Sequence, residues 1–342
     1  MAYTTIKKPS DYFNTKLYTG NGSTQSITGV GFQPDLLWFK NRDSAINHMW
    51  FDSVRGIDKY FYGNLNEAEG TSATILTAIG SDGFSVGANN NVNGSGNGIA
   101  SWNWLANGAG VSNTDGSITS TVSANTTSGF SIVSYTGTGS LATVGHGLGV
   151  TPKMIIVKTR GSAGDWSVYH SSLGNTKNLK LNTTAAEQTS INYWNNTSPT
   201  SSVFTVNDEG NVNGSSVAMI AYCFAEVKGF SKFGSYVGNG SADGTFIYTG
   251  FAPSFVLIKN TTGDQWLIKD NKRPGYNPNN TLYANLTNAE DTSSTVYTDF
   301  LSNGFKLRGT YGGQNTSNVK YIYMAFAENP LVGTNNIPTT AR

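Results

Sequence analysis

The chain of 342 residues has one cysteine, Cys223, so no disulfide can form within it and packing alone must hold the fold. Charge is scarce too: Asp, Glu, Lys and Arg make up 13% of residues, against a usual ~25%. The formal net charge is +1, with no basic block. Nucleic-acid binding needs a cationic stripe that displaces counterions, so no nucleic-acid partner is expected. Long apolar runs are missing as well. The longest, Val217 to Ala225, spans nine residues, short of the ~20 that a membrane helix requires, so no membrane insertion is expected. Lys7 and Lys8 are followed by Pro9, Ser10 and Asp11 and not by an apolar stretch, so the start reads as lacking a secretory signal. Runs of Ala, Glu, Leu and Lys that would favour long helices are absent.

What the chain does have is glycine (40 residues), aromatic side chains (12%) and an apolar share of 37%. That apolar surface offsets ordering entropy, which separates the chain from disordered sequences of similar polarity. Aromatic and β-branched clusters separated by Gly, Asn, Ser and Thr predict short strands joined by tight turns. Asp82-Gly83, Asn93-Gly94, Asp115-Gly116, Asn213-Gly214 and Asp243-Gly244 supply turn signals between them.

Self-similarity organises the rest. Three segments open with an aromatic and two glycines: Tyr18, Gly20 and Gly22; Tyr135, Gly137 and Gly139; Tyr236, Gly238 and Gly240. Each continues with a proline and an apolar run that ends on lysine six positions later: Pro34 to Lys40, Pro152 to Lys158 and Pro253 to Lys259. Each then carries a tryptophan (Trp50, Trp166, Trp266), an Ala-Glu pair (Glu69, Glu187, Glu290), a phenylalanine (Phe84, Phe204, Phe305) and a closing aromatic strand that ends at Trp104, Phe224 or Phe326. Six landmarks in one order indicate a real repeat.

Alternate side chains of a strand point to opposite faces. Leu36 and Trp38 therefore share one face while Leu37 and Phe39 share the other; Ile156 opposes Ile155 and Val157; Leu257 opposes Val256 and Ile258. Both faces are apolar in every copy, which predicts a central strand covered on each side. The fold class expected is all-β, with three tandem β-sandwich repeats of jelly-roll or lectin-like type. The organisation expected is a leader at 1–16, repeats at 17–107, 128–226 and 229–330, a flexible Gly/Ser/Thr-rich linker at 108–127 and a polar tail at 331–342. The Ala-Glu segments are short enough to form at most a single helical turn.

The opening residues Met1 to Asn14, the stretch Gly31 to Arg42, the segment Phe51 to Gly56 and the ending from Ala327 to Pro330 and Ile337 to Arg342 resemble the repeat-bearing virion structural proteins of marine bacteriophages. The likeness covers nearly the whole chain. The second repeat departs from it, having Val203 where the others have Gly before the phenylalanine, and lacking the Asp-Ser-Val-Arg-Gly segment. The resemblance implies a virion structural protein assembled in the host cytoplasm, tail-associated as a fibre or adhesin-like part or else decorating the capsid. It further implies other virion proteins and host surface glycans as partners, a homo-oligomer within the particle, and no catalytic residue to carry over.

The residues themselves offer little chemistry. His48, His146 and His170 stand at no metal-ligand spacing, and neither a metal nor a cofactor is expected. No nucleophile elbow or P-loop occurs, and the chain is expected not to be an enzyme. A pair of carboxylates for glycoside cleavage leaves no spacing signature, so a polysaccharide-cleaving tail protein stays as an alternative beside a carbohydrate-binding module. The recurring glutamates, one per unit, suggest a role in the fold. Lys40, Lys158 and Lys259 are expected to lay their stems on apolar surface with their heads in water. Trp50, Trp166 and Trp266 are the candidates for stacking on sugar rings, with core packing as the competing role.

Overall fold

The computed structural model describes residues 3–274, 277, 280–293, 295–333 and 335. The chain is all-β, and each unit pairs a large antiparallel sheet with a small one. In the first unit the large sheet runs Phe13–Thr19, Gly98–Trp104, Leu36–Asn41, Met49–Asp52, Lys59–Tyr62 and Gly70–Thr71, and the small one Gln25–Thr28, Gly83–Val86 and Leu76–Gly80. The third unit repeats this with Ser231–Val237, Lys320–Pro330, Phe251–Asn260, Trp266–Asp270 and Leu282–Tyr283 against Phe246–Tyr248, Gly304–Leu307 and Thr298–Leu301. In every unit the apolar strand after the proline sits inside the large sheet, between the closing aromatic strand and the strand that follows it. Pro253, which cannot donate a ladder hydrogen bond, falls at a register shift of its strand.

The two apolar faces of that strand have different destinations. Leu37 and Phe39 pack with Phe84 in a core private to the first unit. Ile155 and Val157, and Val256 and Ile258, do the same in the second and third. Leu36 and Trp38, Ile156, and Leu257 instead meet in one core shared by all three units. The units are thus three sides of one body and not beads on a string.

The opening motif is explained by a one-turn helix ahead of each closing strand: Asn90–Asn93, Gly210–Asn213 and Gly312–Asn315. The hydroxyls of Tyr18, Tyr135 and Tyr236 donate to its carbonyls at Val92, Val212 and Gln314. A side chain at Gly20 would place its Cβ 2.2 Å from the carbonyl oxygen of Gly94, and Gly137 and Gly238 are as close to Gly214 and Thr316. Only glycine fits there. Asn93, Asn213 and Asn315 end these turns, fully buried. Each side-chain oxygen accepts the N–H of the residue after that first glycine, at Asn21, Thr138 and Asn239.

Three expectations about organisation need correction. Residues 108–127 are not a flexible linker: Val111–Asn113 and Ser120–Asn125 are strands that extend the second unit's large sheet from its edge strand Phe130–Thr136. Edge pairing is carried by main-chain hydrogen bonds, and the segment's Ile118 and Val122 are buried in the second unit's core, so a Ser/Thr/Asn-rich stretch is ordered here. The leader is also part of the body, since Ile6 and Phe13 lie in the shared core and the Tyr3 hydroxyl donates to the carbonyl of Gly250 in the third unit. The Ala-Glu segments form no helical turn; they run as loops between units. The polar tail beyond 335 lies outside the described residues.

Candidate functional site

The loops that carry the recurring glutamates close the body into a ring. The Glu69 N–H donates to the carbonyl of Arg160, that of Glu187 to Thr261, and that of Glu290 to Arg42. First unit meets second, second meets third and third meets first through the same pair of surfaces. These are head-to-tail contacts that close after three steps. Ion pairs reinforce two of the seams. Arg160 grips Glu69 with both ends of its guanidinium, at 2.9 and 3.0 Å, and Arg42 reaches Glu290 at 2.5 Å. Within the same units Arg55 links Asp52 to Glu69, and Arg273 links Asp270 to Glu290.

The seam between the second and third units breaks this pattern, and Glu187 pairs instead with Lys177 of its own unit at 3.1 Å. His170 and Leu173 stand where the pairings place Asp52 and Arg55, and Thr261 stands where Arg160 would be. The donors that cross to those aspartates follow suit. Tyr222 of the second unit donates to Asp52 at 2.7 Å and Trp102 of the first to Asp270 at 3.1 Å. The equivalent residue of the third unit is Met324, which cannot donate, and it comes opposite a histidine that bonds the carbonyl of Tyr323 instead. Acceptor and donor are lost together, so no charge is buried alone.

The tryptophan landmark does not survive in register. Lys158 pairs next to Trp166 and Lys259 pairs with Trp266, but the corresponding partner of Lys40 is His48, one pleat before Trp50. The backbone N–H groups of His48, Trp166 and Trp266 all donate to the same tether, the side-chain oxygen of Asn64, Asn182 or Asn285. Their rings all reach back to the preceding unit: His48 Nε2 to Tyr283 O, Trp166 Nε1 to Leu65 O and Trp266 Nε1 to Lys180 O. His48 Nδ1 accepts from Trp38 Nε1 at 2.8 Å, which places the ring proton on Nε2. Burial holds this imidazole neutral, well below the usual histidine range.

Trp50, Trp166 and Trp266 are 1%, 0% and 1% exposed in the shared core. Stacking on sugars needs an open ring face, so these three candidates are corrected to core residues. Trp166 packs on Trp50, Phe61 and Tyr222 at centroid distances of 4.9, 5.3 and 6.4 Å.

The lysines are corrected as well. Lys40, Lys158 and Lys259 are fully buried, and their amines end on carbonyl oxygens: Asn41 and Ser44, Asn66 and Gly164, Thr184 and Asp264. Two of these clamps cross a seam. Desolvation pushes all three from 10.5 down to about 8. A neutral amine still has two hydrogens for two carbonyls, so losing the proton keeps both bonds. The unfolded chain holds these protons up to its higher pKa, so stability from these groups rises with pH between about 8 and 10.5 and is level below 8, where both states are protonated. The slope is at most about 1.4 kcal/mol per lysine per pH unit. The thermal midpoint should therefore be higher at pH 9.5 than at pH 7.5, and Lys158→Met should flatten that rise.

The surfaces that face away from the ring axis distinguish the units. Along the outer strand of each small sheet, Phe246 and Tyr248 of the third unit correspond in register to Ser26 and Thr28 of the first and Thr143 and Gly145 of the second. Phe246 and Tyr248 are 42% and 54% exposed, and Tyr297 at the far strand is 37% exposed. Lys306 ties to Asp243 at 2.6 Å and Arg308 to Asp299 at 2.5 Å on the same sheet. Asn277, Tyr297, Thr298, Asp299 and Arg308 line a 470 Å³ cleft at its edge. Sequence reading passed over Phe246 and Tyr248 because a strand's alternation shows only that two faces differ, and here the aromatics occupy the face expected to be polar. Among the described residues no three His, Cys, Asp or Glu side chains gather as a metal site, and no helix is long and apolar enough to cross a membrane.

A family model described as a domain of unknown function (DUF7483) matches residues 8–330, a span that takes in all three units as one domain. No curated protein matches the chain.

Proposed function

The chain belongs to the DUF7483 family, and from that premise we propose that it is a non-enzymatic structural component of a bacteriophage particle, tail-associated and in contact with the host surface. The observation that carries this reading is the closed ring: one polypeptide supplies three pseudo-equivalent units joined by main-chain hydrogen bonds and one core. Such a block holds its shape without a partner, as an exposed particle element must. The groups that recur in all three units, Glu69, Glu187 and Glu290 with Lys40, Lys158 and Lys259, are engaged in seams and clamps that build the block. The resemblance of the chain's beginning and end to marine phage virion proteins gives the setting.

The pseudo-threefold outline also fits a threefold position on a capsid, which favours a decoration role as the second reading. Mass spectrometry of purified phage particles, followed by imaging of labelled chain, tests both. Recovery from particles with label on the tail is the expected result, and label on the capsid would move the assignment to decoration. Absence from intact particles while the chain accumulates in infected cells would end both readings. Incubation with host polysaccharide should release no product.

A further inference from the structure

We propose that the outward face of the third unit's small sheet, centred on Phe246 and Tyr248, is a binding site for a neutral glycan. The inference rests on the attachment reading above for its biological setting, while the site itself is argued from side chains.

The internal repeat serves as its own control. At the positions of Phe246 and Tyr248 the first unit folds with Ser26 and Thr28, and the second with Thr143 and Gly145. Opposite Phe246, Lys306 corresponds to Ser85 and Thr205. In the first unit the face carries small polar groups, with Ser26 and Ser85 hydroxyls 2.9 Å apart. In the second the face carries Thr143 and Gly145, and the strand's edge is paired by the chain's own segment, where Ile118 bridges to Val144 and the Ser117 hydroxyl accepts from the Thr143 N–H. The fold therefore does not need aromatic rings there, and leaving them in water forgoes the gain that burial would bring.

The face has the chemistry of sugar recognition. Phe246 and Tyr248 lie two residues apart on one strand, so their side chains leave the same side of the sheet from Cα atoms roughly 6.5–7 Å apart. Tyr248 pairs with Gly304, where a Cβ would come 2.1 Å from the Ile247 carbonyl oxygen and 3.1 Å from the Phe246 ring, so the glycine lets that ring lie down on the sheet surface. The Tyr248 hydroxyl is fixed by hydrogen bonding with Tyr3. Ring faces of this kind take the C–H side of a pyranose, and the hydroxyl edge then needs donors and acceptors at the rim. Lys306, Arg308, Asp243 and Asp299 provide both, already paired with one another. Two cations against two carboxylates leave the face without net charge, which selects a neutral ligand over an acidic polysaccharide or a phosphate. The adjoining cleft beside Tyr297 gives room for a further sugar ring.

The test uses the full chain in calorimetric titrations with laminarihexaose, cellohexaose and mannohexaose as neutral probes and an alginate hexamer as the acidic one. The expected result is binding to at least one neutral probe that persists in 0.5 M salt (a condition set by screening of surface charge, ~3 Å Debye length at 1 M). The double variant Phe246→Ser with Tyr248→Thr copies the first unit, so it should fold with an unchanged thermal midpoint while affinity drops ~10-fold or more. Binding that survives the double variant, binding confined to alginate, or no binding to any neutral probe would each overturn the proposal. None of these outcomes bears on whether the chain is in the particle, so this inference and the virion reading fail separately.

Discussion

Replacing Trp166 by alanine is expected to destabilise the entire ring by about 3–5 kcal/mol, the range for a large aromatic removed from a close-packed core. Trp166 is fully buried among Trp50, Phe61 and Tyr222, which come from two different units. Its Nε1–H also donates to Leu65 O across the first seam, at 3.1 Å, and truncation leaves that carbonyl unpaired. Because the core is common to the three units, the loss should appear as one earlier denaturation transition and not as the melting of the second unit alone. Tryptophan fluorescence and far-ultraviolet dichroism followed through a urea titration should give coincident curves for both proteins, with the variant's midpoint shifted down. A shift of less than ~1 kcal/mol, or curves that separate, would show that the units are independent. A glycan-binding assay on this variant would report unfolding, since the ring has no open face.

The second large effect concerns Arg55, which is fully buried and held between Asp52 and Glu69 at 2.5 and 3.1 Å. Neighbouring carboxylates hold its charge in place against desolvation. Arg55→Leu removes the cation and leaves Asp52 buried without a countercharge, held only by Tyr222 and the backbone N–H groups at positions 54 and 55, with a cost of about 3–5 kcal/mol. The second unit already contains the neutral solution, His170 with Leu173 facing Met324. The triple variant Asp52→His, Arg55→Leu and Tyr222→Met transfers that arrangement to the first seam, and Glu69 keeps its two bonds from Arg160. Most of the stability lost in Arg55→Leu should return in the triple variant. If the triple is no better than the single, the three positions are not one energetic unit.

These two cases show where sequence reasoning reached and where it stopped. Alternation along Pro34 to Lys40 and its two counterparts correctly indicated strands apolar on both faces, and the structure divides Leu36 and Trp38 from Leu37 and Phe39 as that alternation requires. The Trp50 landmark failed because a tryptophan one pleat away from its apparent equivalents still looks alike in a linear comparison, whereas pairing with the lysine strand assigns the position to His48. The lysines were misplaced because a lysine ending an apolar run looks the same whether its amine meets water or, as at Lys158, carbonyls at Asn66 and Gly164. The 108–127 segment was misjudged because edge pairing on Phe130–Thr136 uses the main chain, which composition does not reveal.

By itself, then, the sequence determined that this is a β protein of three related units, each organised around a strand needing cover on both sides. What supplied the second cover was decided only in three dimensions. Local patterning is short-ranged, and residues such as Tyr222 and Asp52, 170 positions apart, meet only because the ring closes. The same closure turns the repeated glutamates and tryptophans inward as parts of the structure and leaves Phe246 and Tyr248 outside, where the other two units have no aromatic side chain.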